Sequence, residues 1–152
     1  MADGKKAREE IVEKYRPEVE KLSSYIPWLT EKCESDVSEQ YTPEGGKSIP
    51  FPVYDSTLLQ FVKAMEQSVF IDQNFPYVYS RYGIRTLADE LSVIEKTEIM
   101  NISVLGGIMS RYIIGGRTKG RMWSEGVQNG VYLKALTKAA ELIEFWTRDS
   151  QK

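Results

Sequence analysis

Residues 107–136 read GIMSRYIIGGRTKGRMWSEGVQNGVYLKAL. The glycine pair Gly115-Gly116 follows an apolar run, and Asn129-Gly130 precedes the apolar end of the chain. Because glycine destabilises a helix interior and is frequent just beyond a helix end, this stretch predicts three helices joined by two turns. Strands require apolar and polar residues to alternate with a period of two, and such alternation is almost absent from the chain. The sequence therefore predicts an all-α protein.

Helical periodicity continues toward the N-terminus. Six apolar residues recur at spacings of three or four, namely Ile11, Tyr15, Val19, Leu22, Ile26 and Leu29. Pro17 lies among them, and proline removes a hydrogen bond from a helix interior, so we expect a kink or a second helix that begins at Pro17. Further helices are expected at about residues 57–70, 76–82, 87–95, 98–114, 119–128 and 131–148, with Thr86, Thr97 and Thr118 as N-terminal caps. The predicted architecture is a compact bundle of about seven helices.

The length of 152 residues suits one domain, so we assign residues 1–152 to a single all-helical domain. Residues 34–54 are rich in proline, glycine and polar residues and predict an irregular, exposed loop. The segment EGGKS at residues 44–48 resembles part of a phosphate-binding loop. That motif requires a glycine where this chain has Tyr41, so we do not assign one.

Residue types that most catalytic and metal sites need are missing. The chain contains no histidine and one cysteine, which excludes histidine-based triads, histidine-ligated zinc and multi-cysteine metal sites. We therefore predict no catalytic residues, metal or cofactor, and favour a non-enzymatic role. The N-terminus lacks the apolar segment of a secretory signal, and no run reaches the length of a membrane span, so we expect a cytoplasmic protein without membrane contact.

Positive charge is concentrated near the C-terminus. Residues 101–152 hold 8 basic and 4 acidic residues, although the whole chain has a net charge of −2. The candidate binding residues for an anion or partner are Arg111, Arg117, Lys119, Arg121 and Trp123. A helix start offers free backbone N–H groups, and arginines suit bidentate phosphate recognition. The alternative is internal pairing of Arg111 and Arg121 with Glu125, Glu141 or a helix C-terminus.

A second patch is expected around four aromatic residues with interleaved arginines. The aromatic residues are Phe75, Tyr77, Tyr79 and Tyr82, and the candidate site residues among them are Tyr77, Arg81 and Arg85. Aromatic rings can stack on bases, but tyrosines also pack at the rim of a core. If this group lies beside Arg121 and Trp123, the two would form one concave site. The carboxylates of Asp89, Glu90, Glu95 and Glu98 are interpreted as solvated helix faces.

The region from Ile108 to Leu142 also resembles a known family. Seven residues carry the resemblance: Arg117, Arg121, Met122, Gly126, Gly130, Leu133 and Leu136. The spacing of these residues resembles a family of small bacterial proteins classified as a domain of unknown function. That family has an aromatic residue after the second arginine, where this chain has Met122 and then Trp123. The resemblance implies a helical fold and a bacterial origin, and no activity.

The sequence favours an interaction module that recognises an anionic or acidic partner, either protein or nucleic acid, through the basic glycine-rich turn. Two alternatives remain open. The chain could be a structural homo-oligomer that pairs through the apolar face from Tyr132 to Trp146. It could also be a carboxylate-dependent enzyme of phosphate chemistry.

Overall fold

A computed structural model of the protein describes residues 2–33 and 56–150, which form helices joined by short turns and loops. These ranges contain eight α-helices and one short 3-10 helix, and no strand. The α-helices are α1 (Ala2–Ser23), α2 (Ile26–Lys32), α3 (Ser56–Glu66), α4 (Phe75–Arg81), α5 (Leu87–Lys96), α6 (Ser103–Gly115), α7 (Arg121–Gln128) and α8 (Val131–Ser150). The 3-10 helix is Ile99–Asn101. The predicted all-α class is confirmed, and the loop predicted at 34–54 lies outside the described residues.

Helix α6 lies at the centre of the bundle and contacts α3, α4, α5, α7 and α8. Of its 13 residues, 9 are buried, as expected for a helix that is apolar on all sides. Gly106 lies where α6 meets the backbone at Phe70, and a Cβ there would overlap the Phe70 carbonyl oxygen. Glycine at this position therefore lets the chain preceding α4 approach the central helix.

Helix α8 covers another side of the core and contacts α1, α2, α5, α6 and α7. Its buried residues include Tyr132, whose ring lies against Phe61 and Tyr112 at centroid distances of 4.9 and 6.0 Å. The inward face of α8 therefore packs against the core of the same chain. In the described ranges, no helix combines the length and the apolar character needed to cross a membrane.

Helix α1 contains Pro17 and continues past it, so no second helix begins there. The apolar stripe that packs on the core runs on both sides of the proline, with Tyr15 and Val19 buried. Pro17 itself is exposed. Because proline has no N–H, the carbonyl of Glu13 lacks its helical donor, and water can bond it on this exposed side. Tertiary packing therefore outweighs the local cost of the proline.

The segment after α5 differs from the predicted single helix over 98–114. Thr97 ends α5, and its hydroxyl donates to the Val93 carbonyl oxygen at 2.8 Å instead of capping the next helix. A 3-10 turn follows, and α6 begins only at Ser103. A threonine hydroxyl that bonds the carbonyl four residues earlier is not available to cap the N–H groups of a following helix. This explains why no helix begins at Thr97.

Two other helix ends also differ from prediction, whereas the Thr86 cap is confirmed by its hydrogen bond with Asp89. Helix α7 begins at Arg121 because Thr118 belongs to the preceding turn, where its hydroxyl donates to the Gly115 carbonyl oxygen at 3.3 Å. Helix α3 ends at Glu66, four residues before its predicted end.

We expect Gly106→Ala to lower the free energy of unfolding by about 1–3 kcal/mol, because its methyl group meets backbone that cannot move independently. Gly115→Ala is a matched control, since its methyl would meet only the flexible end of Met122. The control should change stability by less than about 1 kcal/mol. Urea denaturation of both variants makes the comparison, and equal stabilities would contradict the close approach at Gly106.

Candidate binding pocket

Glu90 is a buried carboxylate on α5. It lies on the inward face of α5, one turn before the buried Ile94, and its side chain is only 4% exposed. The interpretation of Glu90 as part of a solvated helix face is therefore wrong. A charge that leaves water must be compensated by an opposite charge or by hydrogen-bond donors.

Three side chains from two other helices compensate this charge. The Tyr112 hydroxyl donates to Oε1 of Glu90 at 2.7 Å, and the Tyr79 hydroxyl donates to Oε2. Nη1 of Arg111 lies 3.6 Å from the same Oε2. The Arg111 guanidinium also lies near both tyrosine rings, 5.8 Å from the centroid of Tyr79 and 5.1 Å from that of Tyr112. We call these four residues the Glu90 network.

Asn129 extends the Glu90 network toward α8. Its Nδ2 donates to the Tyr112 hydroxyl oxygen at 3.1 Å, and its Oδ1 accepts from the Val131 backbone N–H at 3.0 Å. Gly130 has a φ of +80°, a left-handed conformation that favours glycine. The Asn129-Gly130 pair thus turns the chain between α7 and α8 and aims Asn129 at Tyr112.

Burial keeps the two tyrosines of the Glu90 network protonated. Loss of solvent raises the pKa of Tyr79 and Tyr112 well above the ordinary value, and the hydrogen bond to Glu90 raises each further. The nearby Arg111 charge opposes this effect only in part. Both hydroxyls are therefore fixed donors to Glu90 at neutral pH.

A pocket of about 420 Å³ lies over the Glu90 network. Its lining residues are Tyr79, Ile84, Arg85, Thr86, Leu87, Glu90, Arg111, Tyr112, Glu125 and Asn129. The volume is within the usual range for small-molecule sites. In the described part of the chain, no three His, Cys, Asp or Glu side chains lie close enough together to hold a metal ion.

The wall of the pocket between α4 and α5 is held by Asp89. Its carboxylate accepts from the backbone N–H groups of Arg85 at 3.0 Å and of Thr86 at 3.2 Å. The Arg85 N–H, more than the other groups around it, holds the pKa of Asp89 below its ordinary value. This wall therefore presents Arg85 from a turn with a fixed backbone.

Four charged side chains line the pocket and can act on a bound ligand. They are Arg85, Arg111, Glu90 and Glu125. Arg111 and Glu90 pair with each other. Arg85 is exposed and Glu125 is partly buried, and neither belongs to an ion pair within residues 2–33 and 56–150. The pocket thus offers one cation and one anion besides its internal pair.

Of the five residues predicted around the glycine turn, only Arg111 lines the pocket, and its ionic partner is Glu90, not Glu125 or Glu141. Arg117 pairs with Glu66, with 2.9 Å between Nε and Oε2. The Trp123 indole N–H donates to the Ile113 carbonyl oxygen at 2.8 Å.

The remaining two residues of that group, Lys119 and Arg121, are exposed. Arg117 and Trp123 thus have structural contacts of their own, and the Arg117–Glu66 pair is not among the pairings that the internal-pairing alternative named. Four of the five side chains therefore lie outside the pocket over the Glu90 network.

The residues of the second predicted patch lie in two different places. Tyr77 is 56% exposed, and its hydroxyl oxygen accepts from Nη1 of Arg81 at 3.1 Å. Arg85 instead lines the pocket together with Tyr79. The aromatic group does meet an arginine of the first cluster, but that arginine is Arg111 rather than Arg121.

Sequence reasoning missed Glu90, Tyr112 and Asn129 as members of this site. One signal for Glu90 was present. It lies three residues after Leu87 and four before Ile94, which places a carboxylate on the apolar face of a predicted helix. A charged residue in that position requires a buried partner, and tyrosines and arginines were available.

We expect Tyr79→Phe and Tyr112→Phe each to lower the free energy of unfolding by about 1–3 kcal/mol, because each removes a hydrogen bond to a buried carboxylate. Tyr77→Phe is the matched control. Its hydroxyl is on an exposed side chain, so its loss should cost less than about 0.5 kcal/mol. Chemical denaturation gives all three values, and a control as costly as the other two would refute the importance of the Glu90 network.

Stability should fall at alkaline pH. Folding raises the pKa of Tyr79 and Tyr112 above the ordinary value of 10.0, so the folded state holds protons that the unfolded state releases. Their contribution is complete below about pH 10 and is lost as the pH rises beyond it. The Tyr79→Phe/Tyr112→Phe double variant should show a shallower decline in unfolding free energy across that window. An unchanged slope would contradict the assignment.

No family model matches this chain, and no curated protein or solved structure matches it either. The resemblance of residues 108–142 to a bacterial family therefore stays a prediction. The function of the pocket has to be inferred from its own residues.

Proposed function

We propose that this chain is a cytoplasmic binding module, of the bacterial origin that the resemblance implies, which holds the anionic group of a small ligand in the pocket over the Glu90 network. Arg85 and the N–H groups of Arg111 that do not face Glu90 are the donors. The observation that carries the proposal is the position of Arg111, whose side chain is 42% exposed and lines the pocket although Glu90 pairs with it.

Arg111 is held in place before any ligand arrives. Glu90 fixes one side of its guanidinium, and the rings of Tyr79 and Tyr112 lie near the planar group. Arginine carries five N–H donors in a rigid fork, so one nitrogen can face Glu90 while others face a ligand. Because the side chain is already ordered, binding costs less conformational entropy than it would for a mobile arginine.

The glycine turn has less support as the anion site. Arg117, which was expected to donate there, is paired with Glu66. Helix α7 begins only at Arg121, with Gly120 as its cap residue. The pocket, in contrast, has a volume that suits a small ligand and two arginines among its lining residues.

The two alternative functions gain no support from the contacts. The apolar face of α8 that could pair between chains is packed in the core, with Tyr132, Leu136 and Ile143 buried. Both oxygens of Glu90 accept a tyrosine hydroxyl, so this carboxylate already has the partners that a structural role requires.

Titration with sodium butyrate and with inorganic phosphate, at constant ionic strength, tests the proposal. We expect saturable NMR shifts of the Arg85 and Arg111 side-chain N–H signals and dissociation constants of about 1 mM, near −4 kcal/mol. Arg85→Gln should weaken binding about tenfold, as the loss of one charge-assisted contact does.

The control is Arg117→Gln/Arg121→Gln, which alters the glycine turn and leaves the pocket lining intact. It should bind both anions as the natural chain does. Binding that this control loses and Arg85→Gln retains would move the site to the turn, and the absence of any saturable shift would refute the proposal.

A further inference from the structure

The polar side chains at the floor of the pocket already have hydrogen-bond partners within the protein. Both Glu90 oxygens accept hydroxyl groups, and the Tyr112 hydroxyl donates to Glu90 while it accepts from Asn129. The carbonyl oxygen of the Asn129 side chain accepts from the backbone at Val131. The charged groups left to meet a ligand are therefore Arg85, the outer nitrogens of Arg111, and Glu125.

Glu125 faces the pocket because of the periodicity of α7. It lies one helical turn before Asn129, which also lines the pocket, and residues three or four apart share a helix face. The opposite face of α7 is directed into the protein, where Ser124 and Val127 are buried. Helix α7 thus presents a carboxylate to the same space that Arg85 and Arg111 line.

The charges of the pocket select against a ligand that is only an anion. Its two arginines are matched by two glutamates, so the formal charge of the lining is zero. A carboxylate bound by the arginines would add a negative charge to a space that already contains Glu125. Like charges in a partly desolvated site repel, whereas an ammonium group on the same ligand would pair with Glu125.

We infer that the ligand is a small zwitterion that joins a carboxylate to a primary ammonium, an inference that rests on the proposed function of the pocket. The carboxylate lies at Arg85 and Arg111, and the ammonium lies at Glu125. Glu125 is the residue that determines specificity, because it distinguishes an amino acid from a simple carboxylic acid.

The test compares three pairs of probes that differ in one amino group: glycine with acetate, β-alanine with propionate, and γ-aminobutyrate with butyrate. In the natural chain, at least one amino compound should bind about tenfold more tightly than its matched acid, a difference typical of one charge-assisted contact. In Glu125→Gln that preference should fall below about twofold, and the simple acid should bind equally well or better.

Glu125→Asp keeps the charge and should retain part of the preference, which separates loss of charge from a local change in structure. Circular dichroism of both variants verifies that the helices are intact. If all six probes and inorganic phosphate fail to bind, the proposed function itself is wrong; if phosphate alone binds, the anion site stands and the zwitterion inference is overturned. If the acids bind in an Arg85-dependent way and the amino group adds nothing in the natural chain, the anion site stands and the zwitterion inference is overturned.

Discussion

A carboxylate that leaves water must meet compensating groups, and Glu90 meets them on two neighbouring helices. Tyr79 approaches from α4, and Tyr112 and Arg111 approach from α6. Removing one hydrogen-bond donor from a buried carboxylate typically costs about 1–3 kcal/mol, because part of the charge then stays buried without compensation. Glu90 therefore connects α5 to α4 and α6 through these contacts. Asn129 connects the same contacts to the start of α8.

The contacts that compensate Glu90 also create the floor of the pocket. If Arg111 moved away, the buried Glu90 charge would keep only its two tyrosine donors, so the Arg111 guanidinium is held at the base of an open space. Arg85 and Glu125 are held differently, since Arg85 lies on a turn with a fixed backbone and Glu125 is a partly buried residue of the short helix α7. A rigid floor with charged groups around it is the arrangement expected of a binding site for a small polar molecule.

Sequence reasoning reached the fold more completely than the site. Helix ends at Gly130 and Thr86 follow from local chemistry, so they were predicted. The continuation of α1 through Pro17 depends on packing against residues distant in sequence, which periodicity does not report. For the same reason Arg111 was placed in one candidate group, and Arg85 and Tyr79 were placed in another. Arg111 and Tyr79 meet at Glu90, which an isolated helix would expose to solvent.

A crystal structure of the chain with γ-aminobutyrate bound tests the central claim most directly, since it shows where a zwitterion lies relative to the Glu90 network. We expect the carboxylate of the ligand within hydrogen-bonding distance of Arg85 and Arg111, the ammonium beside Glu125, and Glu90 still bonded to both tyrosines. A ligand bound at Lys119 and Arg121, or a Glu90 side chain turned to solvent, would contradict it.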